Sequence, residues 1–222
     1  MVLIENLVII VTKCLKTVRI VMSEITPVPA ATVVLVRETE QDSGLQVLLL
    51  QRNSRLVFHG GHWVFPGGRI DEADFDESEG RLEYMAAKRA AVRETFEEAG
   101  LVINEDQLIH TAHWTTPPKM PRRFSTWFFI CPIKNPGSVE VDNDEILDYR
   151  WVSPQVAIED ASAEKWILPR PTITTLSDIS DYRSLDSLIT GVTGSKIRVF
   201  PEGSEFYRPA EMGYSISDHK QV

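Results

Sequence analysis

The sequence predicts an α+β fold, and two observations carry that expectation. Five stretches rich in apolar and β-branched residues read as strands: Ala30–Arg37, Leu45–Gln51, Leu108–Trp114, Phe124–Ile133 and Leu147–Val152. Three segments read as helices, about Leu82–Ala99, Pro154–Trp166 and Thr172–Leu188. With 222 residues, 43% hydrophobic and 25% charged, the chain suits one domain with its own core plus extensions.

In chain order, residues 1–27 read as an N-terminal extension. The apolar run Leu7–Val11 is far shorter than the ~20 residues of a spanning helix. Lys13, Lys16 and Arg19 follow that run, the reverse of a signal peptide. Met22-Ser23-Glu24 reads as a natural start, leaving residues 1–21 as an upstream extension or an added strand. A membrane-surface helix is the weaker alternative there. Pro27 to Pro29 marks the boundary of the main domain, expected over residues 28–190.

Ala30–Arg37 and Leu45–Gln51, joined by the polar turn Glu38–Gly44, read as a hairpin that runs into Arg52. After a loop containing His59, Trp63-Val64-Phe65 is a short strand entering Pro66-Gly67-Gly68. The glycine pair suits a tight turn where backbone approaches a ligand. Asp71–Gly80 has six acids in ten residues and reads as a solvated acidic loop. Leu82–Ala99 is helical, closed by Gly100. Lys119, Arg122 and Arg123 cluster in the proline-rich link between the next two strands, Leu108–Trp114 and Phe124–Ile133. Pro154, after Ser153, suits the first position of the second helix, and Leu168-Pro-Arg-Pro separates it from the third. Residues 191–222, with a short strand at Ile197–Phe200, read as a peripheral extension.

The formal charge of −9 argues against indiscriminate binding to nucleic acid or anionic membrane. An acidic protein that handles phosphates needs local cations. Cys14 and Cys131 make neither a disulfide framework nor a zinc site, so a reducing compartment, the cytoplasm, is expected.

The chemistry concentrates in Arg93–Leu101. Glu94, Glu97 and Glu98, at i, i+3 and i+4, share one helix face, while Met85, Val92, Phe96 and Ala99 fall roughly opposite, where a core would cover them. Ala87, Ala90 and Ala91 share the glutamate side and would let another element approach closely. Like charges one turn apart repel, so something positive should offset them. Oxygen-only ligands suit Mg²⁺ or Mn²⁺.

Arg93-Glu94-x-x-Glu97-Glu98-x-Gly100-Leu101, preceded by Phe65-Pro66-Gly67-Gly68, resembles the signature of the Nudix hydrolases. Thr95 stands where an aliphatic is usual, and 24 residues separate Gly68 from Arg93 where the signature has thirteen, so eleven are inserted. Counted back from Arg93, Met85 occupies the place of the signature's middle Glu, and Glu83 is the nearest acid. Val47–Arg52, Trp63–Asp71 and Pro121–Phe129 are similar to the coenzyme A diphosphatases with an enlarged box and their bacterial relatives. The arginine of the coenzyme A motif is missing, because Val57 occupies its position. The chain ends Lys220-Gln221-Val222, which is not a peroxisomal address.

The resemblance implies an α/β/α sandwich with a mixed sheet between helices, and metal-dependent hydrolysis of a diphosphate linkage in a nucleoside diphosphate-X substrate. Coenzyme A or acyl-coenzyme A leads; ADP-ribose, a dinucleotide, or a non-catalytic nucleotide-sensing module are the alternatives. It implies Glu94, Glu97 and Glu98 as metal ligands and Arg93 as the residue orienting a glutamate. It also implies a downstream acid acting as base or extra ligand, for which Glu145 is chosen, with Asp144 and Glu140 close behind. Gly67 and Gly68, with Arg52, Arg122 and Arg123, are the expected substrate contacts. The expected partner is a small nucleotide, with no nucleic acid or membrane, and a homodimer is compatible with the sequence.

Overall fold

Val33 and Leu35 point to one side of their strand and Val34 and Val36 to the other, and all four are fully buried. A strand covered on both faces reads as an unbroken apolar run, which is why Ala30–Arg37 shows no alternation. The computed structural model describes residues 25–39, 44–56 and 59–215, together with the backbone of 3–4, 7–10 and 19–22. Leu3–Ile4 (β1), Leu7–Ile10 (β2) and Arg19–Met22 (β3) pair antiparallel in a small sheet of their own. The surface-helix alternative thus meets strand backbone at those positions, and the rest of residues 1–21 lies outside the described residues.

The main sheet contains Val28–Thr39 (β4), Gly44–Arg52 (β5), Trp63–Val64 (β6), Gly67–Arg69 (β7), Ile109–Thr115 (β8), Phe124–Pro132 (β9), Ile146–Val152 (β10) and Arg198–Phe200 (β11). Its order is β10-β5-β4-β9-β8-β11, with β6 added to β5 and β7 to β4. The β4–β9 and β8–β11 pairs are parallel and the others antiparallel, so the sheet is mixed. On one face Val33, Leu35, Leu48, Leu50, Trp127 and Phe129 pack under Glu83–Ala99 (α1). On the other, Val34, Val36, Val47 and Leu49 pack with Pro154–Ser162 (α2), Arg170–Ser180 (α3) and Leu185–Thr193 (α4). The expected α/β/α sandwich is therefore present.

Three element expectations are corrected. Gly67 and Gly68 are not a turn: they form β7, with Gly68 opposite Ala31 and Gly67 opposite Thr32. The single helix over Thr172–Leu188 is two, because Ser184 starts a new N-terminus with its hydroxyl accepting from the Ser187 N–H. The buried side of α1 is also not the expected one throughout. Ala99 is fully buried and Met85 and Val92 pack against the core as expected, but Phe96 is 58% exposed, and the buried residues are Tyr84, Ala86, Ala87, Ala90, Ala91, Thr95, Glu98 and Ala99. Alanines let α1 approach β4 and β7 closely, so the small side of the helix goes inward and Glu98 goes with it, while Glu94 is partly covered and Glu97 stays exposed. Thr95 is fully buried without cost to its hydroxyl, which donates to the Ala91 carbonyl at 2.7 Å.

The segment after Gly191, expected as peripheral, adds β11 to the edge of the sheet and brings Tyr207 and Tyr214 against the α1-side core. The ring of Tyr214 lies 5.0 Å from that of Tyr84 and 4.8 Å from that of His110.

Candidate active site

The site forms where β4 and β5 part. β5 pairs with β4 only through Val36–Thr39, and β7 takes its place along Ala30–Thr32. This carries Gly67 and Gly68 under the C-terminal half of α1. A Cβ on Gly68 would lie 2.3 Å from a Glu94 carboxylate oxygen, and one on Gly67 would lie 2.3 Å from the Ala31 carbonyl oxygen. Gly67 also has φ +155°, a conformation other residues avoid.

Glu98 is the buried acid of the cluster. Its Oε2 accepts the Gly67 N–H at 2.9 Å, and its Oε1 faces Arg52 Nη1 at 3.7 Å. Burial pushes the Glu98 carboxyl up to about 8; Gly67 and Arg52 oppose the rise, while Glu94 and Glu145 add to it. Glu94 is likewise raised, first by burial, against the nearby Arg93 guanidinium. Glu97 is the exposed member, with 55% of its side chain accessible.

Arg93 binds Glu94 at 2.8 Å and Glu97 at 3.1 Å through Nη1. Its Nε and Nη2 hold Asp74 at 3.2 and 2.9 Å, and Nη2 also reaches the Arg69 carbonyl oxygen. Asp74 is only 5% exposed, so the acidic stretch is not wholly solvated. It folds back on α1 through two 3₁₀ turns, Glu72–Asp74 and Glu77–Glu79, tied down by Arg81 to Glu72 and Glu77 and by Arg89 to Glu79. Asp74 is the residue that the sequence reading missed. Counted forward from Gly68 it lies at the signature's Gly-x₅-Glu position, so the insertion follows the box acid rather than preceding it. Glu83 is elsewhere, accepting from the Trp127 indole N–H at 2.9 Å.

Glu145 reaches the site from the loop before β10. Asp142 Oδ1 accepts the N–H groups of Asp144, Glu145 and Ile146, which shapes that loop. Glu145 then meets Arg52 Nη2 at 2.5 Å. Arg52 thus joins two acids at the end of β5. Loop 53–62 returns beside it, with the Gly61 N–H donating to the Arg52 carbonyl. Burial, His62 and Arg52 together push the His59 imidazole down to about 4.

Two expected substrate contacts change character. Arg52 is engaged with carboxylates, as above. Arg123 is 3% exposed and donates to the carbonyls of Thr116 and Ile25 at 3.0 and 2.6 Å, so it clamps the β8–β9 connection instead of facing solvent. Arg122 is exposed on the same connection. Glu140 sits at the end of α1, its N–H donating to the Ala99 carbonyl.

Among the described residues, no three His, Cys, Asp or Glu side chains converge as a ready-made cage. The donor set nevertheless fits a hard divalent cation. The atoms it offers are all carboxylate oxygens, and Glu94 and Glu98 are both raised, first by burial, which a bound cation would offset.

Comparison with known proteins bears on the family and the fold. A NUDIX domain matches residues 26–170, more than half of the chain. The chain is 27% identical over 192 residues to a putative nudix hydrolase of Caenorhabditis elegans, covering 71% of this chain and 62% of that protein. It is 22% identical over 258 residues to an acyl-coenzyme A diphosphatase of Xenopus laevis, covering 75% of this chain and 67% of that protein. The first of these shares therefore falls below two thirds of the relative's length. The crystal structure of a NUDIX hydrolase from Alicyclobacillus acidocaldarius superposes with TM-score 0.65 at 21% identity, covering 72% of this chain and 94% of that one.

Proposed function

The chain belongs to the NUDIX family, and on that premise we propose that it hydrolyses a diphosphate linkage in a nucleoside diphosphate-X substrate, using Mg²⁺ or Mn²⁺. The observation that carries this reading is that Glu94 lies against Gly68 and Glu98 on the Gly67 N–H, with Glu145 paired to the same Arg52 that faces Glu98.

In this reading Glu94 and Glu98 would hold the cation, with Glu97 as a further ligand. When bound, the cation supplies Lewis acidity to phosphate oxygens and to water. The Gly67 N–H fixes the Glu98 carboxylate, and Arg93, locked by Asp74, fixes Glu94. Glu145, half-exposed at the rim, is placed to accept the proton of the attacking water. The water oxygen bonds to one phosphorus, the bridging P–O bond breaks, and the bridging oxygen leaves with the other phosphate. Arg122 is the exposed cation assigned to substrate phosphate, and Arg52 joins it once released from Glu98.

Coenzyme A or acyl-coenzyme A leads as substrate, supported by the relative from Xenopus laevis that bears that activity in its name. It would yield 3′,5′-ADP and a phosphopantetheine. ADP-ribose or a dinucleotide follows. A nucleotide-sensing module is the second reading, favoured by the lack of a converged three-acid cage among the described residues.

The test is a hydrolysis screen over coenzyme A, ADP-ribose, NADH and diadenosine polyphosphates, with and without Mg²⁺ or Mn²⁺. Release of 3′,5′-ADP from coenzyme A is the expected result. Nucleotide binding with no phosphate-containing product from any of them would establish the sensor. Glu98→Gln should reduce turnover by at least about a hundredfold while circular dichroism stays native.

A further inference from the structure

The two arginines at this site are held in different ways. Arg93 has its fork filled: Nε and Nη2 bind Asp74, Nη2 also binds the Arg69 carbonyl, and Nη1 binds Glu94 and Glu97. Arg52 has one hydrogen bond to a side chain, to Glu145 at 2.5 Å. Its 3.7 Å approach to Glu98 is attraction without a hydrogen bond, and its Nε is buried without a partner among the described residues. A guanidinium in such a place is held chiefly by charge, and it can be exchanged for another charge.

The oxygens of Glu98 make the exchange specific. Oε2 is taken by the Gly67 N–H, which leaves Oε1, the oxygen facing Arg52. That oxygen carries no hydrogen bond from the Gly67 N–H and is the more open one to a cation that ligates Glu98. We infer that Arg52 is the resident counter-ion of the carboxylate cluster, and that a divalent cation binds in competition with it, displacing the guanidinium from Glu98. Glu145 has 47% of its side chain accessible, so Arg52 can stay paired there while it moves off the buried acid. The displaced guanidinium then faces the rim, and cation binding precedes phosphate binding to it. This rests on the proposed cation site at Glu94 and Glu98 and adds the residue that sets its affinity.

The test is Mn²⁺ titration by calorimetry on the full chain without nucleotide at about pH 9, where the cation-free Glu98 is ionised and faces Arg52 as a carboxylate, comparing wild type, Arg52→Gln and Arg52→Lys. Removing the competing charge should tighten Mn²⁺ binding on the order of tenfold in Arg52→Gln, with Arg52→Lys close to wild type. Equal or weaker binding in a folded Arg52→Gln protein overturns the inference, because a residue that merely positions Glu98 would loosen the site when lost. A second measurement needs no variant: the Arg52 side-chain Nε–H resonance, followed by NMR while Mg²⁺ is added. It should shift to saturation with the cation, and an unmoved resonance at saturating Mg²⁺ overturns the inference. If wild type takes up no cation, the metal reading and this inference fall together. Normal uptake with no response at Arg52 removes this inference alone.

Discussion

Gly68 leaves room for a carboxylate. Its missing Cβ would overlap the flexible end of Glu94, not backbone, so a methyl group there displaces the acid before it disturbs the sheet. Gly68→Ala should keep a native thermal transition and lose activity by more than about tenfold, as misplacing a reacting group does. Unchanged turnover in the variant would show that the Glu94 carboxylate need not rest against the glycine. At Asp74 the expectation is different. Asp74→Asn weakens two hydrogen bonds to a charged partner at a buried acid, and should cost about 2 kcal/mol in chemical denaturation along with activity. The three glutamates were legible from their spacing alone. Asp74 was not, because counting back from Arg93 crosses the insertion, and only the ion pair shows on which side of it the box acid lies.

The strands were legible nearly to their ends, since β-rich apolar runs have few other uses in a core. Which side of α1 would be buried was not. Hydrophobicity favoured Phe96, which stays exposed, whereas the close approach of helix to sheet selects the smallest side chains, and these share a side with Glu98. The inner acid is then stabilised by hydrogen bonding instead of exposure. The C-terminal segment was equally opaque: a glycine- and serine-rich stretch shows no periodicity, yet it places Tyr214 among Tyr84, His110 and Trp127. We therefore expect residues 191–215 to fold as part of the domain. Tyr214→Ala should lower stability by about 3 kcal/mol in urea, and a loss below about 0.5 kcal/mol would make that segment an appendage.

At the scale of the whole molecule the site sets how stability depends on pH. Without a divalent cation, Glu98 stays protonated in the folded protein up to about 8, whereas the unfolded chain loses that proton near about 4.3. Its contribution is full below the unfolded value. Between the two values the folded state holds the extra proton, so stability falls as pH rises, by at most about 1.4 kcal/mol per pH unit. In chelator, wild type should therefore lose stability between pH 5 and 8 more steeply than Glu98→Gln, and Mn²⁺ should restore wild type at pH 8. Parallel profiles for the two proteins would rule the linkage out. Among the described residues no helix is long and apolar enough to cross a membrane.

The sequence by itself determined most of the strands and the acid-bearing helix with its glycine stop, because these depend on periodicity and spacing along a local stretch, and its box resembled the family that the NUDIX domain match shows. Only the tertiary structure decided that Gly67 and Gly68 are a strand, that Asp74 locks Arg93, that Arg123 is a clamp, and that Arg52 stands between Glu98 and Glu145. Those contacts join residues far apart in the chain. The gap between β4 and β5 brings them together, and nothing in the local sequence signals that gap.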